Sequence, residues 1–100
     1  MDEYDVKEQE KLVRYMGKLY QRSKRNLQVE GEEGERYFQD MKFVMTIDLI
    51  LKDMRKEQQL IIRKDYLQTP VDMWYRNYFS RSSYYRIRNK AIKEFVAALY

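Results

Sequence analysis

One proline, Pro70, and three glycines are the only strong helix breakers in this chain of 100 residues. Met, Leu, Lys, Arg, Glu and Gln, all good helix formers, are abundant instead. No segment shows the apolar–polar alternation of a strand, and no repeat or low-complexity tract is present. The expected fold is therefore all-α: a small bundle of about five helices, within one domain spanning residues 1–100.

Hydrophobic spacing places the helices. Leu12, Tyr15, Met16, Leu19 and Tyr20 form one apolar stripe and predict a helix from about Val6 to Arg22. Arg22 to Asn26 loses that pattern, and Glu30-Gly31-Glu32-Glu33-Gly34 places like charges between two glycines. Residues 1–34 thus read as an N-terminal helix with an acidic loop, a candidate arm for dimerisation or a partner. Tyr37, Phe38, Met41, Val44, Met45, Leu49, Ile50 and Leu51 cover a wide arc and predict a central helix from Glu35 to Met54. A third helix is predicted from Lys56 to Leu67. Thr69 and Pro70 suit the cap and first position of a short fourth helix ending near Asn77. Ser80 is the predicted cap of a fifth helix from Arg81 to Leu99, with Tyr84, Ile87, Ala91, Ile92 and Phe95 as its buried stripe. The methionines at helical spacing read as core fillers.

Composition excludes several functions. The chain has neither cysteine nor histidine, so disulfides, thiol chemistry and every Ser-His arrangement are ruled out. Carboxylate pairs such as Glu32-Glu33 or Asp48 and Asp53 have no base, nucleophile or phosphate loop beside them. No catalytic residue, metal site or cofactor is expected, and the chain reads as a non-enzyme. No apolar run approaches the roughly 20 residues that span a bilayer, and the acidic start lacks a signal-peptide core. A cytoplasmic, reduced setting away from membranes is expected. Ten tyrosines, apolar in body and polar at the tip, suit a thin core close to a surface or interface.

Charge is divided unevenly. Residues 1–54 carry 10 basic and 12 acidic side chains, whereas residues 55–100 carry 10 and 4. From Arg76 to Lys93 there are basic residues at Arg76, Arg81, Arg86, Arg88, Lys90 and Lys93 and no acid. Such a block is the electrostatic footprint of a nucleic-acid partner, or else a solvated helix face. A short helix, a tight turn and a longer basic helix make a helix-turn-helix, here over residues 55–99 with its supporting helix. In that motif the second helix enters the major groove. Arg81, Ser82 and Ser83 occupy its first turn, and Tyr85, Arg86 and Asn89 follow on the exposed side. Arg can pair with guanine and Asn with adenine. Arg88, Lys90 and Lys93 read as rim or phosphate contacts, while Trp74 and Tyr84 read as packing residues.

The run Phe79-Ser80-Arg81-Ser82-Ser83-Tyr84-Tyr85-Arg86, followed by Lys90-Ala91 and a Phe/Leu-containing end, resembles the C-terminal signature of ArpU/RinA-type phage late transcription regulators. These are similar in turn to region 4 of bacterial sigma factors. The likeness covers about residues 55–99, and Gln59 to Leu67 is similar to the helix preceding the motif there. It implies a non-enzymatic, sequence-specific regulator of phage or mobile-element type that binds double-stranded DNA. The family's turn glycine is absent, and Tyr78-Phe79 stand in its place. One recognition helix offers a small interface, so a homodimer on two half-sites is expected. The rival reading is a protein-interaction module or inhibitor whose basic face binds RNA polymerase, another host protein or a nucleoprotein. A purely structural bundle is the third.

Overall fold

The computed structural model describes residues 6–29 and 34–100. The acidic start (1–5) and most of the acidic loop (30–33) lie outside the described residues. The described chain is all-helical. It has four α-helices, α1 (Val6–Val29), α2 (Glu35–Lys52), α3 (Lys56–Ile62) and α4 (Arg81–Leu99), and two shorter helical turns. None of the described helices is long and apolar enough to cross a membrane.

α1 runs seven residues past Arg22, where the apolar pattern stops. Polar pairing replaces apolar packing there. The buried Ser23 hydroxyl donates to Asp40 Oδ1 at 3.1 Å, and Asn26 Nδ2 donates to Asp40 Oδ2 at 3.2 Å. One α2 carboxylate thus satisfies two α1 side chains, and Leu27 packs on the core just beyond. α2 is not the central helix: α1 packs against α2, α4 and the turn after α3, and α4 packs against α1, α2, α3 and the 3₁₀ segment that precedes it. α2 buries only Val44, Ile47 and Leu51, and leaves Phe38, Met45 and Leu49 exposed on its other side.

α3 continues without a break into a π-helical turn, Arg63–Leu67. Gly17 of α1 lies against this turn: a Cβ there would sit 2.1 Å from the Tyr66 carbonyl oxygen. The absent side chain lets the two backbones approach, and Gln21 Nε2 donates to the same carbonyl at 3.2 Å. Tyr66 itself is buried, with its hydroxyl donating back to α1 at Glu10 Oε2, 2.7 Å away.

The predicted fourth helix is reduced to one 3₁₀ turn, Trp74–Asn77. Thr69 and Pro70 begin no helix. Met73 takes a left-handed conformation (φ 57°, ψ 25°), which interrupts any right-handed helix starting at Pro70. Positive φ is therefore needed at Met73 and not at Tyr78 or Phe79. The core gathers Val13, Ile47, Leu51, Ile61, Ile62, Ile92 and Phe95, all essentially inaccessible to solvent.

Candidate nucleic-acid interface

α4 starts where Ser80 leaves extended backbone (φ −68°, ψ 161°) and its side chain accepts the Ser83 N–H at 3.2 Å. That bond satisfies one donor that the first helical turn would otherwise leave unpaired. Tyr84, Ala91, Ile92 and Phe95 then face the core, while Ile87 is only half-buried. With one face fixed by burial, the rotation of the other face is fixed too.

On that outer side Ser82, Arg86, Asn89, Lys90 and Lys93 fall within an arc of roughly 100°, from 3.6 residues per turn. Asn89 is half-buried, and the other four are exposed. Tyr85 lies about 40° outside one edge of the strip and Arg81 about 80° outside it, on the side of the connection between α3 and α4. The Arg81 guanidinium sits 5.9 Å from the centre of the Tyr85 ring, which is 40% exposed. Ser83 is half-buried, with its N–H already taken by the cap. Arg76 is exposed on the 3₁₀ turn. The fold also adds a residue absent from the sequence-based set. Arg55, at the start of α3, joins Glu57, Gln58, Arg86, Ile87 and Lys90 around a shallow hollow of about 250 Å³ that holds one acid among three basic side chains. It stands 31 positions before Arg86, so no local pattern links the two.

Arg88 does not belong to the outer strip. Its side chain is 17% exposed and pairs with Glu10 of α1 at 3.0 Å. Glu10 also accepts from Arg14 at 2.8 Å and from the Tyr66 hydroxyl. The Tyr85 ring covers the Arg88 guanidinium at 5.5 Å from its centre. Arg88 therefore joins α4 to α1 instead of facing outward.

A second carboxylate anchors the start of α4. Asp65, on the π turn, accepts from Trp74 Nε1 at 2.8 Å and from the Tyr84 hydroxyl. Tyr84 is buried and stacks on Tyr75, with ring centres 3.9 Å apart and planes 8° from parallel. Trp74 meets the Tyr84 ring edge-on and is half-buried. The connection between α3 and α4 is thus held by aromatic packing around one acid. Burial raises the Tyr66 and Tyr84 phenols above the usual tyrosine range, and their bonds to Glu10 and Asp65 raise them further. Neither carboxylate was singled out from the sequence. Asp65 did carry a signal, as the sole acid between Glu57 and Asp72. Glu10 carried none among the other acids of the N-terminal half.

Among the described residues, no group of three or more acidic side chains is placed to hold a metal ion. The chain matches no protein family, no curated protein and no solved structure.

Proposed function

We propose that this protein is a sequence-specific, double-stranded-DNA-binding regulator of the helix-turn-helix kind, akin to phage late regulators, and not an enzyme. The observation that carries this reading is the outer strip of α4. Five polar or basic side chains share one face of a capped helix whose opposite face is buried. No acid interrupts the chain from Arg76 to Lys93. A rigid helix with such a face has the dimensions and charge to enter a major groove.

In this reading α3 with its π turn is the supporting helix, and the 3₁₀ segment belongs to the connection. Arg86 and Asn89 are the base-reading residues, with guanine and adenine as their respective partners. Ser82, Lys90, Lys93, Arg76 and Arg55 contact phosphates and set the register. Arg81 and Tyr85 lie to one side of the site as a cation–π pair. Arg88 serves as a positioning residue that fixes the rotation of α4.

The test is titration of the whole chain with duplex DNA at several salt concentrations, followed by selection of a preferred site. Counterion release predicts a steep loss of affinity with salt. Arg86→Ala should cost roughly 1–3 kcal/mol on the selected site and relax specificity at one position. A second reading draws on the exposed Val71, Met73 and Tyr78 beside the site: a module that binds an acidic protein surface, such as one on RNA polymerase. No duplex binding at about 50 mM salt would favour that alternative over DNA.

A further inference from the structure

The outer side of α2 has no partner within the described chain. Glu35, Phe38, Lys42, Met45, Leu49 and Lys52 succeed one another at alternating steps of three and four residues. Steps of that size keep all six within an arc of roughly 100° along the helix. The arc lies opposite the buried Val44, Ile47 and Leu51. Its apolar members are strongly exposed: Phe38 61%, Met45 56% and Leu49 61%. Phe38, Met41 and Met45 line a shallow groove of about 530 Å³ together with Glu35, Gln39 and Lys42. An apolar seam of this spacing on a small chain marks a contact surface, not a solvated face.

We infer that the occupant is a second copy of this chain, docked as an antiparallel α2–α2 pair about a two-fold axis. Charge order along the seam carries the choice. Its first member, Glu35, is acidic and its last, Lys52, is basic. Two-fold antiparallel pairing sets Glu35 against the partner's Lys52, Phe38 against the partner's Leu49, and Lys42 against the partner's Met45. Every position then meets a complementary one, with the Lys42 stem covering methionine while its ammonium reaches water. Parallel pairing would set each charge against its own copy. Asp53 beside Lys52 keeps the end pairs weak, so the apolar seam supplies the affinity. None of the seam residues belongs to the outer strip of α4, so pairing leaves those side chains out of the contact. That such a dimer would present two recognition helices to two half-sites rests on the DNA reading; the dimer itself does not.

Sedimentation equilibrium of the full chain tests this. Wild-type protein should be dimeric at roughly 50 μM. Met45→Glu with Leu49→Glu should be monomeric, with unchanged helical circular dichroism. Glu35→Lys and Lys52→Glu should each weaken the dimer about tenfold, since two symmetry-related pairs become repulsive. An equimolar mixture of the two single variants should regain it, because the heterodimer restores both attractions. A wild-type chain that stays monomeric at roughly 50 μM, or a dimer indifferent to Met45→Glu with Leu49→Glu, would overturn the proposal. A mixture no tighter than its components would overturn the antiparallel arrangement. Duplex-DNA titration of the same samples reads the α4 proposal separately: a monomer that binds DNA defeats only the dimer, and a dimer that does not bind DNA defeats only the DNA reading.

Discussion

Two carboxylates, Glu10 and Asp65, each hold a buried phenol by accepting a hydrogen bond from its hydroxyl. Asp48 accepts likewise from the Tyr20 hydroxyl, at 2.8 Å. All three phenols ionise less readily folded than unfolded, with burial as the first cause and the neighbouring carboxylate next. A folded-state value raised above the unfolded one gives stability that is complete below the unfolded pKa. It is lost as pH rises past that value, near 10 for tyrosine. The urea midpoint should therefore hold level up to about pH 9 and fall through pH 10–11. Tyr66→Phe should begin lower at neutral pH, by about 1 kcal/mol for the lost hydrogen bond, and should then fall less steeply. A wild-type midpoint that stays level through about pH 11 would refute this account.

Elements meet here through unequal contacts. α1 touches the π turn backbone to backbone, at Gly17 and Tyr66, because no Cβ intervenes. Gly17→Ala improves the intrinsic helix propensity of α1 by about 1 kcal/mol. It also drives a methyl into a carbonyl that Gln21 and the packed turn hold in place. The clash should win, with a net loss of about 2 kcal/mol and a melting temperature lower by roughly 10 °C. Thermal unfolding followed by circular dichroism checks the sign, and an unchanged or raised melting temperature would show that the contact is looser than described. The sequence placed the starts of α2 and α4 because Gly34 and Ser80 stand there, and it placed α3 after a turn near Arg55, where no breaker stands. It misplaced the end of α1 because Ser23 and Asn26 look like loop residues until Asp40 is beside them. It also made a helix of Val71 to Asn77, where Met73 adopts a backbone geometry that its side chain gives no reason to expect.

At the scale of the molecule, the basic block divides into two populations that local sequence does not separate. Arg86 points outward, and Arg88, two residues on, points into the bundle. Substitution should separate them. Arg86→Ala should leave the melting temperature within a degree or two, in keeping with an exposed site, while weakening DNA binding. Arg88→Ala removes a partner of Glu10 in a largely buried setting and should cost about 2 kcal/mol of stability. Differential scanning fluorimetry and DNA titration on the same two variants would read both effects. Equal stability losses would mean that Arg88 is not the inward residue described.

The sequence by itself determined the helical class, the Ser80 cap and the stripe of Tyr84, Ala91, Ile92 and Phe95, since breakers, caps and 3.6-residue periodicity act over a few neighbours. It also determined that thiol, histidine and disulfide chemistry are absent, which is a matter of composition. Only the tertiary structure decided which helix is central, which arginine faces the core and which carboxylates brace α4. Each of those outcomes depends on residues far apart in the chain: Glu10 with Arg88, Gly17 with Tyr66, Ser23 with Asp40 and Arg55 with Arg86. Nothing in the spacing of either member announces the other, because a hydrogen bond or ion pair between helices is set by how the helices pack.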